Sequence, residues 1–152
     1  MKVTSGINAA SCLTSNPNTF LCSPKKNLII RGILTLKRTN EKNAGKINSI
    51  SIVDQYLEHA RVIIFNNKGN QKVFISSADW MVRNLDHRIE VAVPIIDPVI
   101  KKELIDIINI QLKDNQKARI LDGELSNKYV PSAKATSFKS QEETYKFLKG
   151  KR

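Results

Sequence analysis

RVIIFNNKGNQKVFIS, residues 61–76, sets two short apolar runs on either side of an Asn-rich loop that contains one glycine. Val, Ile and Phe dominate both runs and suit a pleated, buried surface, while residues 66–71 supply turn chemistry. The stretch predicts a β-hairpin. Outward from it, RIEVAVPI (88–95) alternates Ile89, Val91 and Val93 with Arg88, Glu90 and Ala92, the period of a strand. Between them SADWMVRNLDH (77–87) has neither helical nor strand period and is predicted as a loop. Asp97 followed by Pro98 starts a helix, with Ile100, Leu104, Ile107, Ile108 and Gln111 on its buried side and Leu112 beside them. KARIL (117–121) is predicted as a further strand. Ser140 with Glu143 caps a last helix that carries Tyr145 and Leu148.

Upstream, LIIRGILTL (28–36) reads as a buried strand interrupted by Arg31 and Gly32, and residues 37–49 as a polar, basic loop. Ser51 and Asp54 form an S-x-x-D pattern that predicts a short helix, burying Ile52, Val53, Tyr56 and Leu57. Residues 1–26 show weak periodicity. The alternation of strands and helices with one inserted hairpin argues for an α/β layered domain with a mixed sheet. A chain of 152 residues is long enough to bury one core.

The net charge of +11 is uneven: residues 1–50 carry +7, residues 51–100 carry −1 and residues 101–152 carry +5. Such an excess favours a polyanionic partner. Specific nucleic-acid binding is not expected, because the nine Phe, Trp and Tyr residues sit mostly in apolar runs rather than among the basic ones. Cys12 and Cys22 are too few for a disulfide framework and are expected to be free thiols. No apolar run approaches the ~20 residues of a membrane span, and a cytoplasmic chain is expected.

Three places could carry chemistry. His59 stands where the short helix gives way to the first hairpin strand, with Arg61 beside it as an anion contact. Arg31, inside an apolar run, needs an anionic partner, either a ligand or an internal carboxylate such as Glu90. The third is SSADWMVRNLDHRIE (76–90), where Ser76, Ser77, Asp79, Arg83, Asn84 and Arg88 are polar and Glu90 could orient a base. Trp80 reads as a core anchor and His87 as a loop residue. No glycine-rich phosphate loop, zinc-ligand spacing or nucleophile elbow occurs.

LIIRGI, ISIVDQYLEHARVIIF, KVFISSADWMVRNLDHRIEVAVPI and KARILDGELSNKYVP together closely resemble the C-terminal catalytic domain of bacterial polyphosphate kinase, the larger family of that name. The resemblance runs from about Leu28 to Val130. It implies a phospholipase-D-like mixed β-sheet with flanking helices over residues 27–152, preceded by a divergent segment, 1–26, in which the family's lead into the first strand is not recognisable. It also implies phosphotransfer from ATP to polyphosphate through a phosphohistidine, with ADP as product, Mg2+ as cofactor and a homo-oligomer as partner state, and it leaves room for peripheral membrane association.

By the same resemblance His59 matches the family's second catalytic histidine, a proton donor and phosphate contact, and Arg31 matches an arginine that binds the nucleotide phosphates. Arg61, Ser77, Asp79, Arg88 and Glu90 resemble the polar shell of the wider superfamily. The histidine that becomes phosphorylated, and the contacts to Mg2+, belong in the family to the preceding catalytic domain. Neither His59 nor His87 fits that motif. No metal site is expected in this chain, which on this reading is inactive alone. Two other readings stand beside this one: a polyanion-binding module without chemistry, and a phospholipase-D-like phosphodiesterase. The second is disfavoured by HAR (59–61), where that superfamily has lysine two residues after histidine.

Overall fold

The computed structural model describes residues 9–12, 26–31, 47–122, 124, 126–131 and 136–151, with side chains outside 9–12 and Lys26. Seven strands form one mixed sheet: β1 (Ala9–Cys12), β2 (Lys26–Ile29), β3 (Ile47–Ile52), β4 (Val62–Phe65), β5 (Lys72–Ser76), β6 (Ala92–Pro94) and β7 (Ala118–Ile120). Helices α1 (Val82–Leu85), α2 (Pro98–Leu112) and α3 (Ser140–Lys149) complete the described elements. The strand order is β6-β5-β4-β1-β2-β3-β7. β1 runs parallel to β4 and β2 to β3, and the other neighbours are antiparallel.

The hairpin stands as expected. Val62 pairs with Ile75 and Ile64 with Val73, and Val62, Ile64 and Val73 are buried. Its turn holds Gly69 at φ +93, a left-handed conformation that glycine adopts without steric cost. The core joins Ile29, Ile50, Ile52, Val62, Ile64, Val73, Ile108 and Ala118. Each aliphatic side chain there contributes roughly 1.5–3 kcal/mol by leaving water. Asp97 accepts from the Val99 and Ile100 amides at 2.8 and 2.9 Å and so caps α2, as its sequence predicts. The face that α2 presents to the core is made by Leu104, Ile105, Ile108 and Leu112, whereas Ile100 is exposed.

Four expectations about elements are corrected, and one about a side chain, Trp80. Residues 47–52 are strand rather than loop and helix start, because β2 and β7 flank them and take up their backbone groups. Ile52 is buried there, but Val53, Tyr56 and Leu57 are exposed, Leu57 by 93%. The predicted loop 77–87 contains the single turn α1. The strand foreseen over residues 88–95 is confined to Ala92–Pro94, and Ile89 is 100% exposed. Beyond its ends single backbone bonds persist, from the Ser77 amide to the Val91 carbonyl and from the Ile95 amide to the Val73 carbonyl, both at 2.9 Å, while the Val91 amide donates to the Ser77 hydroxyl at 3.0 Å.

The last correction concerns α3, where Ser140 and Glu143 make no capping box. Ser140 is the first helical residue and its amide donates to Asp114 at 2.7 Å. Trp80, expected in the core, is 38% exposed. Residues 32–36 of the predicted second strand, the loop segment 37–46, most of segment 1–26 and the thiols of Cys12 and Cys22 lie outside the described residues.

Candidate functional site

The pairing registers align one edge of the whole sheet. Val62, at the start of β4, faces Ala9 of β1 and Ile75 of β5. Ala9 also faces Ile29, the last residue of β2. Ser76 faces Ala92 where β6 begins, and Ile52 faces Ala118 where β7 begins. The ends of β2, β3 and β5 and the starts of the other four strands therefore lie along the same edge. Arg31 follows β2 directly, residues 58–61 lead into β4, Ser77 and Asp79 follow β5, and Glu90 precedes β6. Strand ends are where α/β sheets gather functional groups.

At the centre Arg61 is held by Asp79 through a 2.7 Å bond from Nε to Oδ1. Its Nη2 in turn approaches His59 Nε2 at 2.8 Å and Nδ1 at 3.4 Å. The direct His59–Asp79 separation is 3.6 Å, beyond hydrogen-bond reach. Asp79 thus orients Arg61, and Arg61 orients the imidazole. A guanidinium only donates, so a hydrogen bond between these two side chains needs a ring nitrogen that accepts. The Arg61 hydrogen bond and charge hold the Asp79 carboxyl below its ordinary range, against the opposing effect of burial, and His59 and Arg83 add to the lowering. His59 itself is half exposed, open to a ligand.

Arg31 is tied to a carboxylate, but to Glu58 rather than Glu90. Its Nη2 pairs with Glu58 Oε2, and its Nη1 donates to the Glu58 carbonyl at 3.1 Å. Arg31 and His59 therefore lie on one sheet edge and are joined through the residue that precedes His59. Gln111 of α2 and Gln141 of α3 also donate to the Glu58 carboxylate, at 3.4 and 3.2 Å.

The third cluster is a separate network. Ser77 donates to Glu90 Oε2, and buried Asn84 donates to Oε1 at 2.7 Å. These two bonds, with a smaller contribution from Arg88, lower the Glu90 carboxyl. Glu90 is occupied with Ser77 and Asn84, so the orienting carboxylate near His59 is Asp79. Arg88 and His87 are exposed. A groove of about 320 Å3 lined by Lys72, Phe74, Pro94, Ile96 and Lys101 sits at the opposite edge, where β5 begins, away from all these residues.

Residues 25–141 match the family described as polyphosphate kinase C-terminal domain 2. The chain belongs to that family. It is 50% identical over 123 residues to the polyphosphate kinase of Escherichia coli strain K12, covering 81% of this chain and 18% of that protein. To the polyphosphate kinase of Vibrio parahaemolyticus it is 51% identical over 125 residues, 82% of this chain and again 18% of the relative. The crystal structure of polyphosphate kinase from Porphyromonas gingivalis superposes with a TM-score of 0.82 at 38% identity, over 97% of this chain and 24% of that one. The chain thus spans about a fifth of the length of its curated relatives. Its fold is the phospholipase-D-like mixed sheet with flanking helices, and its family is one of phosphotransferases.

Against this polyphosphate kinase frame, Glu58, Gln111 and Gln141 are the site residues that the sequence does not single out. Gln111 had been placed on the buried side of α2, where it does lie, but as a core position. Glu58 stands beside His59 in LEHAR, and a residue next to a candidate histidine carries no pattern of its own. Among the described residues no group of three or more His, Cys, Asp or Glu side chains gathers as metal donors. No described helix is long and apolar enough to cross a membrane.

Proposed function

We propose that this chain is the C-terminal catalytic domain, residues 27–152, of an ATP:polyphosphate phosphotransferase, acting in the cytoplasm, and that it supplies the half-site around His59. The nucleophilic histidine, and any ligands for Mg2+, belong to the preceding catalytic domain, which is this chain's principal partner together with ATP, polyphosphate and further copies in an oligomer. The observation that carries the reading is the ordered relay Asp79–Arg61–His59 on the sheet edge that also bears Arg31.

In the forward reaction the bond from the γ-phosphorus of ATP to its bridging oxygen breaks, and that oxygen leaves on ADP. The phosphoryl group passes to the nucleophilic histidine and then to a terminal oxygen of polyphosphate. Phosphoryl transfer asks the protein chiefly for positioning and charge neutralisation. Arg61 and Arg31 supply positive charge for the phosphoryl oxygens, and His59 in its imidazolium form donates a proton to a phosphate oxygen as charge shifts and returns to the neutral ring. Ser77, Arg88 and Glu90 build the wall of the site beyond Asp79.

The test is to supply the missing domains with this chain and follow polyphosphate synthesis from ATP. His59→Ala should lower the rate by about 100-fold or more, the scale of a lost general acid. Arg88→Ala should cost less. An unchanged rate in the His59 variant would remove the assignment.

A further inference from the structure

We propose that Gln141, in the first turn of α3, is the positioning residue that fixes the His59 loop. The segment between β3 and β4 has no regular secondary structure over residues 53–61. Its large apolar side chains, Val53, Tyr56 and Leu57, are all exposed, so apolar packing does not hold it. What holds it is polar and comes from far along the chain. The Tyr56 amide donates to Gln141 Oε1 at 3.0 Å, and Gln141 Nε2 donates to the Tyr56 carbonyl at 2.7 Å. The same Nε2 reaches Glu58 Oε2 at 3.2 Å.

A carboxamide is needed for this arrangement. It must accept from one backbone group and donate to another of the same residue, which neither a carboxylate nor an ammonium can do. Asparagine, one methylene shorter, would not span the same gap from the same helical position. With Tyr56 clamped and Glu58 held between Gln141, Gln111 and Arg31, His59 leaves a fixed backbone and meets Arg61. The other tie on the segment lies at Asp54, which pairs with Lys117 and Lys139 at 3.9 and 3.7 Å and leaves Tyr56, two residues on, to the carboxamide.

The structural half of this proposal stands on the hydrogen bonds alone, and its catalytic half rests on the His59 role proposed above. Two variants of the full chain test it, Gln141→Leu and Gln141→Glu. The first removes both clamp bonds. The second keeps size and helix propensity but replaces the donor with an anion facing Glu58 and the Tyr56 carbonyl. Nitrogen-15 NMR reads the imidazole of His59, with exposed His87 as internal reference, and hydrogen exchange reads the Tyr56 amide.

In both variants the His59 ring signals should move while those of His87 stay, and Tyr56 amide exchange should quicken about tenfold in Gln141→Leu. Should that variant fail to fold, Gln141→Glu decides alone through the His59 signals. A folded Gln141→Glu protein with wild-type His59 signals would overturn the proposal. In the enzyme completed with its missing domains, Gln141→Glu should lower kcat about tenfold at unchanged KM for ATP. An unchanged kcat beside an inactive His59→Ala enzyme would overturn the positioning role. An active His59→Ala enzyme would instead remove the proton-donor reading, and the clamp would then be judged on the ring signals.

Discussion

Arg61 makes the decisive contacts of the site, because it uses both sides of its guanidinium. Nε binds Asp79 at 2.7 Å and Nη2 reaches His59 at 2.8 Å. A planar fork with several fixed donors can bridge two such groups; a lysine ammonium is a point charge and holds one of them poorly when it holds the other. Arg61→Lys should therefore lower polyphosphate synthesis about tenfold in the completed enzyme despite the conserved charge. Asp79→Asn should act through the same contact, since the neutral amide no longer anchors the guanidinium. Because the two residues form one unit, the double variant should lose little more than the worse single one. Rate losses that multiply would show that Asp79 and Arg61 act separately. His59 and Arg61 could be named from their spacing in LEHAR. Asp79 could be included in a polar shell, but its role could not be assigned, since it lies eighteen residues from Arg61 and is brought there by the hairpin.

Asp114 joins elements that the sequence presents as unrelated. Its Oδ1 accepts from the amides of Gln116, Lys117 and Ala118 at 3.0, 2.7 and 3.0 Å, and its Oδ2 accepts from Ser140 at 2.7 Å. One buried carboxylate thus shapes the turn from α2 into β7 and caps α3. Burial pushes its carboxyl up, but the hydrogen bonds from Ser140, Lys117 and Ala118 outweigh burial and hold it below its ordinary range. A depressed folded-state value means that the stabilisation is complete above the unfolded value of about 4 and is lost as pH falls through the folded one. Asp114→Ala should destabilise the chain by roughly 3 kcal/mol near pH 7, from the loss of charged hydrogen bonds at buried amides. The gap in Tm between variant and wild type should narrow as pH drops below about 4; a constant gap down to pH 2 would refute this. The same contact explains the limits of reading elements locally. The hairpin, α2 and β7 were legible because period, turn residues and the Asp97 cap lie within each segment. The cap of α3 was misassigned to Ser140 because its true acceptor lies twenty-six residues upstream. Residues 51–57 are not the helix that S-x-x-D suggests, because that pattern is local: pairing with β7 takes residues 51–52 into β3, and 53–57 have no regular structure.

For the whole molecule, the charge distribution divides, on the proposed function, the gathering of a polyanion from the action on it. The chain carries +11, yet residues 51–100, which contain His59, Arg61, Asp79 and Glu90, sum to −1. Arg31 and Arg61 are each met by a carboxylate, from Glu58 and Asp79. Long-range attraction must then come from the basic flanking segments, and short-range recognition from the paired edge. The two respond differently to salt, because screening shortens the range of attraction from about 10 Å at 0.1 M to about 3 Å at 1 M. Binding of long-chain polyphosphate to this chain, measured across that span of salt, should weaken steeply. His59→Ala should shift the whole line slightly and leave its slope nearly unchanged, since a single side chain adds little to the counterion release from the many basic residues of the flanks. Replacing Lys113, Lys128 and Lys149 by Gln should flatten the slope while leaving the His59–Arg61 geometry intact, as the bonds that hold it run among His59, Arg61 and Asp79. If the slope instead followed His59 and ignored those lysines, the polyanion would be gathered by the site itself, and the basic flanks would serve only solubility.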